Sequence, residues 1–413
     1  MKSLRLSLFT GLLALLSACA NVTDSSHLGD SFTAEERRVV VTFVDRTIDR
    51  KLPGNPLESY RVRGEYSNSS LSQRIATQLA DRHHLQFIAQ WPVTELGVSC
   101  VVYEVPEQFG LQQVMADLQK DPEVSLVQLM QTFQVQDHKS SSSESHGDPY
   151  VNLQVGFKSL GIDELHKIAT GRGVRIALID SGVDLDHPDL KGQIKYAENV
   201  APEPSDHNLA DLHGTAVAGV LSARPDNDIG IAGIAPDAEI LAFRACWPEK
   251  PGALEAHCNS YTLALALNKA IRMNSRIINL SLSGPEDPLL RLLIEQALSK
   301  DIIVIAAGAG KDQTGGFPAN VSGVIAVGRG NEAKKPEVIA PGQDILTTVP
   351  NQAYDFMTGS SFATPHVSGL AALLLQLTPS WHAADVKQRL SSDLNLISAH
   401  RLYATDTAAK QQN

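Results

Sequence analysis

Positive charge is scarce in this chain of 413 residues, in which 35 Lys and Arg residues stand against 46 Asp and Glu residues. The formal net charge of -11 argues against a nucleic-acid partner, because binding to phosphates needs a surplus of basic side chains. Cysteine is scarce too, and no Cys/His cluster has the spacing of a zinc site. The chain is, however, 43% hydrophobic, which is enough for a sizeable core in roughly two or three domains.

The first residues have the pattern of an export signal. Lys2 and Arg5 precede an apolar stretch from Leu6 to Leu16, which is too short to span a bilayer. We therefore expect residues 1–18 to be a signal peptide and the protein to be exported.

The end of this segment, Leu16-Ser17-Ala18-Cys19, resembles the bacterial lipobox, in which cleavage before the cysteine allows lipid to be attached to it. The resemblance implies that Cys19 anchors the protein to the membrane of the cell envelope through its lipid, with residues 19–36 as a lipidated N-terminal segment. Ala20 in place of aspartate favours the outer membrane. The alternative is an ordinary signal peptide cleaved near Ala18 or Ala20.

Export also bears on the remaining cysteines, because an oxidising compartment favours disulfides. Cys246 and Cys258 flank a loop that contains PEKPGALEAH, and they are the natural pair. Two unrelated buried thiols are the alternative. Cys100, within VSCVVYEV, is expected to act as a small buried hydrophobic residue.

Residues 37–136 have the pattern of a small α+β domain. Four apolar stretches predict strands, namely RVVVTFV, LQFIAQW, GVSCVVYEV and VSLVQLM, and two predict helices, SLSQRIATQLADRH and GLQQVMADLQK. Their order is β-α-β-β-α-β, which is ferredoxin-like. The polar stretch HKSSSSESHGD then predicts a flexible linker and domain boundary over residues 137–147.

From residue 148 onwards, apolar strands alternate with helices. The predicted strands are VRIALID, AEILAFRA, RIINLSL, DIIVIAA and GVIAVG, and the predicted helices are HGTAVAGVLSA and SYTLALALNKAIRM. This alternation predicts an α/β fold with a parallel sheet and helices on both faces. A nucleotide-binding loop in TGRGVRIALID is not expected, because its glycines precede the strand, and no organic cofactor is expected.

Three polar residues lie at ends of predicted strands or helices, and in open α/β sheets the active site lies at the carboxyl ends of the strands. Asp180 ends a strand, His213 opens a helix, and Ser361 lies at the start of an apolar helix. Taken singly, they could be a turn residue, a surface imidazole and a helix cap. In this order they match an Asp-His-Ser triad, in which His213 takes the proton of Ser361 and Asp180 orients the imidazole. Pro365 is expected in the first turn of the serine's helix, where it costs no hydrogen bond.

The stretches ALIDSGVDLDHPDL, DLHGTAVAGV and TGSSFATPH closely resemble the three signature blocks of subtilisin-like serine proteases. The similarity continues through INLSLSGP, IAPG and AHRLYATDTA and covers about residues 147 to 408. It implies a subtilisin-like catalytic domain over residues 148–408, followed by a tail over 409–413. The implied function is a serine endopeptidase that cleaves protein or peptide substrates through an acyl-enzyme.

The resemblance also assigns site residues. The nucleophile is the second residue after the glycine in Gly359-Ser360-Ser361, which is Ser361. Gly308 is expected to form a wall of the pocket for the side chain before the scissile bond. The residues expected to pair with the substrate backbone as an added strand are Ser281, Leu282, Ser283 and Gly284.

One position departs from the family pattern. Ala309 stands where the family has an oxyanion-hole asparagine, so only the donors at the start of the Ser361 helix are expected to remain. Lys311 or Gln313 could supply a substitute donor, or turnover could be slow. A catalytically weak or inactive pseudoenzyme, acting as a peptide-binding lipoprotein, is the alternative to an active protease.

Family members carry an inhibitory propeptide of similar size and pattern, which implies that domain 37–136 is an intramolecular inhibitor. Cleavage is expected between Gln134 and Asp148. Such a cleavage would release the mature protease from its own anchor, into the periplasm or outside the cell. The alternative is a permanent accessory domain that links the anchor to the protease.

The family often builds a structural calcium site from one aspartate and one glycine-asparagine loop. Asp189 matches the aspartate, and the loop Pro225–Ile231 matches the second part. The side chain of Asn227 and the backbone carbonyls of Pro225, Ile229 and Ile231 would be the other ligands. The alternative is a plain Asx turn.

Overall fold

A computed structural model describes residues 36–45, 68–135, 138–140, 148–201, 210–248, 250, 252–308, 316–329 and 337–393. The expected signal peptide, Cys19, Ala309, Lys311 and Gln313 lie outside these residues. None of the helices in the described part of the chain is both long and apolar enough to cross a membrane.

The N-terminal module has the predicted element order β-α-β-β-α-β, and the prediction is confirmed. Its elements are β1 (Arg38–Val44), α1 (Ser70–His83), β2 (Gln86–Val93), β3 (Val98–Glu104), α2 (Leu111–Lys120) and β4 (Leu126–Leu129). The strands form an antiparallel sheet in the order β2-β3-β1-β4. Local chemistry sets the bounds of α1: the Ser69 hydroxyl caps its start, and His84 ends it in a left-handed conformation.

Two short strands follow the module but do not join its sheet. They are β5 (Thr132–Val135) and β6 (His138–Ser140). The second of them lies within the stretch predicted as a flexible linker, so part of that stretch is a strand.

The rest of the described chain builds a seven-stranded parallel sheet. Its strands are β7 (Arg175–Asp180), β8 (Ile194–Asn199), β9 (Glu239–Arg244), β12 (Ile277–Leu280), β13 (Ile303–Ala307), β14 (Ile325–Gly328) and β15 (Val338–Ile339). Their order is β15-β14-β13-β12-β7-β9-β8. The remaining strands are β10 (Cys246–Pro248), β11 (Ala256–Asn259), β16 (Ile345–Val349) and β17 (Ala353–Thr358).

Helices cover both faces of this sheet, as predicted. They are α3 (Val155–Ser159), α4 (Ile162–His166), α5 (Leu212–Ser222), α6 (Ser260–Arg272), α7 (Pro288–Ser299), α8 (Ser360–Leu377) and α9 (Ala383–Asp393). Ile176 and Leu178 of β7 pack in the core that contains α5 and α8, whereas Ala177 and Ile179 pack in the core that contains α6 and α7. Because side chains alternate along a strand, a strand covered on both faces must be apolar throughout.

Candidate active site

Asp180 and His213 form a buried pair at the carboxyl edge of the sheet. Asp180 is the last residue of β7, and His213 lies in the first turn of α5. Asp180 Oδ1 lies 2.7 Å from His213 Nδ1, and the side chains are 2% and 0% exposed. When Nδ1 carries the proton for this hydrogen bond, Nε2 is left as the basic nitrogen.

Ser361 lies beside this pair. It is the second residue of α8, it is 3% exposed, and the glycine at position 359 precedes the helix. The ring of Phe362, the next residue, lies 5.3 Å from the His213 ring. The structure therefore places the first turn of α8, which carries Ser361, beside the Asp180–His213 pair, and the positive end of the α8 dipole can stabilise an anion that develops there.

Pro365 is the sixth residue of α8, and the expectation that it lies in the first turn is wrong. Because proline has no N–H, it cannot bond the carbonyl of Ser361, four residues earlier. The hydroxyl of Ser281, which follows β12, donates to that carbonyl at 2.9 Å. The cost of a proline inside the helix is thus offset by a side chain from the predicted substrate-binding stretch.

Gly308 contacts the start of the same helix. Its carbonyl accepts a hydrogen bond from the Ser360 hydroxyl at 3.0 Å, and its N–H donates to the carbonyl of Val327 at 2.6 Å. The end of β13 is thereby fixed against the residue that precedes Ser361. A substrate side chain near Ser361 would meet a surface without a side chain at Gly308.

The predicted substrate-binding stretch is paired with the protein's own chain. Gln134 of β5 and Ser283 exchange two backbone hydrogen bonds, of 3.1 and 3.3 Å. On its other edge, β5 pairs antiparallel with β11, with Phe133 opposite Cys258. An extended segment thus lies between β11 and the stretch that contains Ser283, which is how an added peptide strand binds.

Phe133 fills an apolar pocket beside this strand. Its side chain is fully buried, and its ring lies 6.0 Å from that of Phe317. Gly284 forms the floor, because a Cβ built there would lie 2.3 Å from the Phe133 ring. Leu282, the other residue of the predicted stretch, is buried in the core. The sequence patterns gave no sign of Phe133 or Phe317.

The next strand, β6, pairs antiparallel with β17, with His138 opposite Thr358. In the sequence, two residues, Gln136 and Asp137, lie between β5, which is paired with Ser283, and β6. Consecutive parts of the chain are therefore paired with Ser283 and with Thr358, three residues before Ser361.

Cys246 and Cys258 form a disulfide in the structure, between directly opposite residues of β10 and β11. The bond joins the strand that pairs with β5 to its neighbour. Cys100 is a free, buried cysteine, and burial raises the pKa of its thiol well above the ordinary value.

His366, from the third signature block, supports α8 rather than the triad. Its Nδ1 lies 2.8 Å from the Phe362 carbonyl, and Gly156 packs so closely that an added Cβ would clash with the ring. Burial lowers the pKa of His366 to about 4, so this imidazole is neutral at neutral pH.

The residues of the expected calcium site lie together around Asp189. Its Oδ1 accepts a hydrogen bond from the side-chain amide of Asn227, and its Oδ2 accepts from the N–H of Ile231 and the hydroxyl of Tyr354, each at 2.9 Å. The amide oxygen of Asn227 accepts from the N–H of Ile229 at 3.0 Å. Burial raises the pKa of Asp189.

Asp148, which the sequence patterns did not indicate, lies beside this group. Its Oδ2 accepts from the N–H of Asp226 at 2.8 Å, whereas its Oδ1 is buried and has no hydrogen-bond partner among the described residues. Burial and the charge of Asp189 raise the pKa of Tyr354, with a further contribution from Asp148. In the described ranges, no cluster of three His, Cys, Asp or Glu residues could hold a metal.

Known proteins that are similar to this chain belong to one family of serine proteases. Residues 171–402 match the model of the subtilase family. Subtilisin E of Bacillus subtilis is 33% identical over 298 residues, covering 68% of this chain and 73% of its own, and subtilisin of Bacillus pumilus is 35% identical over 269 residues, covering 61% and 95%.

Among solved structures, fervidolysin from Fervidobacterium pennivorans, a keratinolytic enzyme related to subtilisin, aligns with a TM-score of 0.67. It is 20% identical, so this match bears on the fold alone, and it covers 86% of this chain but 57% of fervidolysin. With the family match over more than half of the sequence, the chain belongs to the subtilase family and is a subtilisin-like serine endopeptidase that acts on proteins or peptides.

Proposed function

We propose that this endopeptidase is exported and that Ser361, His213 and Asp180 are its nucleophile, base and orienting carboxylate. The observation that supports these three roles is the buried hydrogen bond between Asp180 and His213, which lies beside the start of α8. His213 Nε2 takes the proton of Ser361 as the hydroxyl oxygen attacks the peptide carbonyl. The same proton then passes to the leaving amine as the acyl-enzyme forms, and water releases the acyl group.

The N-terminal module is the proposed intramolecular inhibitor. The strand β5, which directly follows the module, occupies the place of a substrate between Ser283 and β11. The module also packs on the catalytic domain: the rings of Trp91 and Tyr261 lie 4.3 Å apart, and Gln128 donates to the buried carboxylate of Asp287 at 2.8 Å. A substrate cannot pair with Ser283 while β5 does.

We assign the processing bond to Gln136–Asp137. This is the interval between the strand held at Ser283 and the strand held at Thr358, and Ser361 follows Thr358 by three residues. The bond falls within the interval expected from the sequence. After cleavage, the new N-terminus at Asp137 can leave, whereas β5 stays bound as an inhibitor until it is degraded.

Mass spectrometry of the purified protein tests both proposals. Wild type should yield a fragment that begins at Asp137, and Ser361→Ala should remain uncut. Gln136→Pro is the matched substitution for the bond itself, and it should prevent that cleavage without touching the triad. An intact chain in wild type that nevertheless hydrolyses peptides would show that the module is a permanent accessory domain.

Lipidation of Cys19 is proposed from the lipobox-like sequence alone. Cells fed an alkyne fatty acid should incorporate it into wild type but not into Cys19→Ala. Fractionation should place the uncut Ser361→Ala protein in the membrane, and the Asp137 fragment of wild type outside it. No label on wild type would favour the ordinary signal peptide, and label on Cys19→Ala would contradict lipidation of Cys19.

A structural calcium ion at Asp189 is also proposed. The buried, unpartnered Asp148 Oδ1 supports it, because a hard cation would satisfy this oxygen and neutralise two neighbouring carboxylates. Asp189, Asp148, the Asn227 amide oxygen and the carbonyls of the 225–231 loop would hold the ion, after Asn227 turns its oxygen away from Ile229.

Thermal unfolding of the Ser361→Ala protein, in calcium and in chelator, tests the calcium proposal. Calcium should raise the Tm, and Asp148→Asn or Asp189→Asn should abolish the difference. Equal Tm values in calcium and chelator would leave the loop as a plain Asx turn.

A further inference from the structure

A second buried carboxylate, that of Asp211, lies beside the Asp180–His213 pair. Asp211 is the N-cap residue of α5 and is 7% exposed. Its Oδ1 accepts hydrogen bonds from the Ser181 hydroxyl at 2.5 Å and from the backbone N–H of His213 at 3.3 Å. Because Ser181 directly follows Asp180, this one oxygen joins the end of β7 to the residue that carries the base.

Ser181 completes the connection. Its backbone N–H donates to Asp180 Oδ1 at 2.7 Å, and its hydroxyl accepts from the N–H of Gly214 at 3.2 Å. The two backbones touch here, since a Cβ added to Gly214 would lie 2.1 Å from the carbonyl oxygen of Gly182. The relative position of Asp180 and His213 is therefore set by a short hydrogen-bonded network that includes Asp211.

The charges around Asp211 come from three elements. Asp180 faces it from β7, His213 from α5, and Arg244, opposite Asp180 in the sheet, from β9. Burial raises the pKa of Asp211, the hydrogen bonds from Ser181 and His213 lower it, and the charge of Asp180 raises it again. Arg244 is buried and interacts electrostatically with Asp211.

We propose that Asp211 is a positioning residue of the triad, whose ionised carboxylate fixes Ser181 and the first turn of α5 and adds a second negative charge that stabilises the His213 imidazolium. This inference rests on the proposed role of His213 as the base. A charge that favours the imidazolium should matter in the transition state, when His213 holds the proton of Ser361.

The pH dependence of kcat/KM in Asp211→Asn is the test. Asparagine keeps the acceptor oxygen for Ser181 and for the helix cap but removes the charge. The acidic limb, which reports protonation of His213, should move to lower pH by ~0.5–1 unit, and kcat on the plateau should fall by roughly 3–10-fold. An acidic limb that coincides with that of wild type would overturn the proposal and leave Asp211 as an N-cap alone.

Asp237→Asn is the control. Asp237 accepts hydrogen bonds from the Thr170 hydroxyl at 2.7 Å and from the Arg172 guanidinium at 3.0 Å. It belongs neither to the triad network nor to the contacts with the N-terminal module, so its substitution should leave the acidic limb in place. An equal shift in Asp237→Asn would also overturn the proposal, because the effect would then be general.

Ser181→Ala separates the effect of the Asp211 hydrogen bond from the effect of the Asp211 charge. It also tests the positioning role if Asp211→Asn does not mature. It keeps the Asp211 charge but breaks the link, so plateau kcat should fall about 3-fold or more while the acidic limb stays. Unchanged kcat in Ser181→Ala would contradict the positioning role. Failure of the proposed function looks different, since wild type itself would then show no Ser361-dependent hydrolysis.

Discussion

The hydroxyl of Ser281 donates a hydrogen bond to the backbone carbonyl of Ser361 at 2.9 Å. Pro365, four residues later in α8, has no N–H and cannot donate to this carbonyl. Ser281→Ala leaves this carbonyl buried without that donor, which should cost about 1–3 kcal/mol of unfolding free energy. Because the carbonyl belongs to the nucleophile, turnover should also fall. Urea unfolding of the Ser361→Ala background and kcat of the active enzyme measure the two effects.

Ser222→Ala is the control for this prediction. Ser222 is buried in α5, and its hydroxyl donates to the carbonyl of Ala218 at 3.1 Å. That carbonyl lies within an unbroken helix and keeps a backbone donor, so no buried acceptor is left unsatisfied. If both variants lose the same stability, the Ser281 hydroxyl does not compensate for Pro365.

Gly284→Ala should slow maturation. The new Cβ would lie 2.3 Å from the Phe133 ring, so β5 could not seat beside Ser283 as it does in the structure. A time course of precursor cleavage should show at least about a tenfold delay, equivalent to about 1.4 kcal/mol. In the mature enzyme, KM should rise for peptides that carry phenylalanine at the position of Phe133.

Gly110→Ala is the matched substitution outside the cleft, because its added Cβ meets only Gln113 at 3.8 Å. It should mature like wild type. Normal maturation of Gly284→Ala would show that the Phe133 pocket does not hold the segment during cleavage.

His366 should lower the stability of the folded protein as the pH decreases. Its pKa is about 4 in the folded protein and near 6.5 when unfolded, so the unfolded chain binds more protons between these values. The full stability is present above pH ~6.5 and is lost as pH falls toward ~4, by up to about 3 kcal/mol.

Urea unfolding of the Ser361→Ala protein between pH 8 and pH 4 measures this loss, and His366→Asn should flatten the curve. The control is His84→Asn, because His84 is exposed at the left-handed end of α1, a conformation that asparagine adopts readily, and its substitution should leave the slope in place. A slope in His366→Asn equal to that of the parent would contradict the prediction.

Ala309→Asn tests the departure from the family pattern. An amide placed where the oxyanion forms should act mainly in the transition state, so kcat should rise at least about tenfold with little change in KM. No gain would mean that another group fills the hole. In that case Lys311→Ala combined with Gln313→Ala should lower turnover sharply, and an unaltered rate in all these variants would show that Ala309 does not stand at the position of the family's asparagine.

The sequence predicted those parts of the fold that depend on local pattern. Strand β7 could be predicted from its continuous apolar run, because both its faces are buried. Helix α1 could be predicted because its N-cap serine and its apolar periodicity indicate the same helix. α7 was missed although Asp287 and Pro288 are a normal helix start.

The cleft could not be predicted in the same way. β5 and β6 have four and three residues, and their partners lie more than a hundred residues away, so no local period marks them. Asp211 looks like an ordinary polar residue, and only its contacts with the network around the triad give it a role. The family resemblance indicated Ser281 as a substrate-binding residue, but not its hydrogen bond to the carbonyl of Ser361. The family motifs indicated the triad residues, whereas the contacts that support them join residues far apart in the sequence and are visible only in the structure.

Labelling of the mature enzyme with a fluorophosphonate, followed by peptide mapping, tests the central claim most directly. A nucleophile activated by His213 should carry the adduct on Ser361, the adduct should disappear in Ser361→Ala, and it should persist in Ser360→Ala. An adduct on another residue, or peptide hydrolysis that survives Ser361→Ala undiminished, would contradict the assignment of Ser361 as the nucleophile.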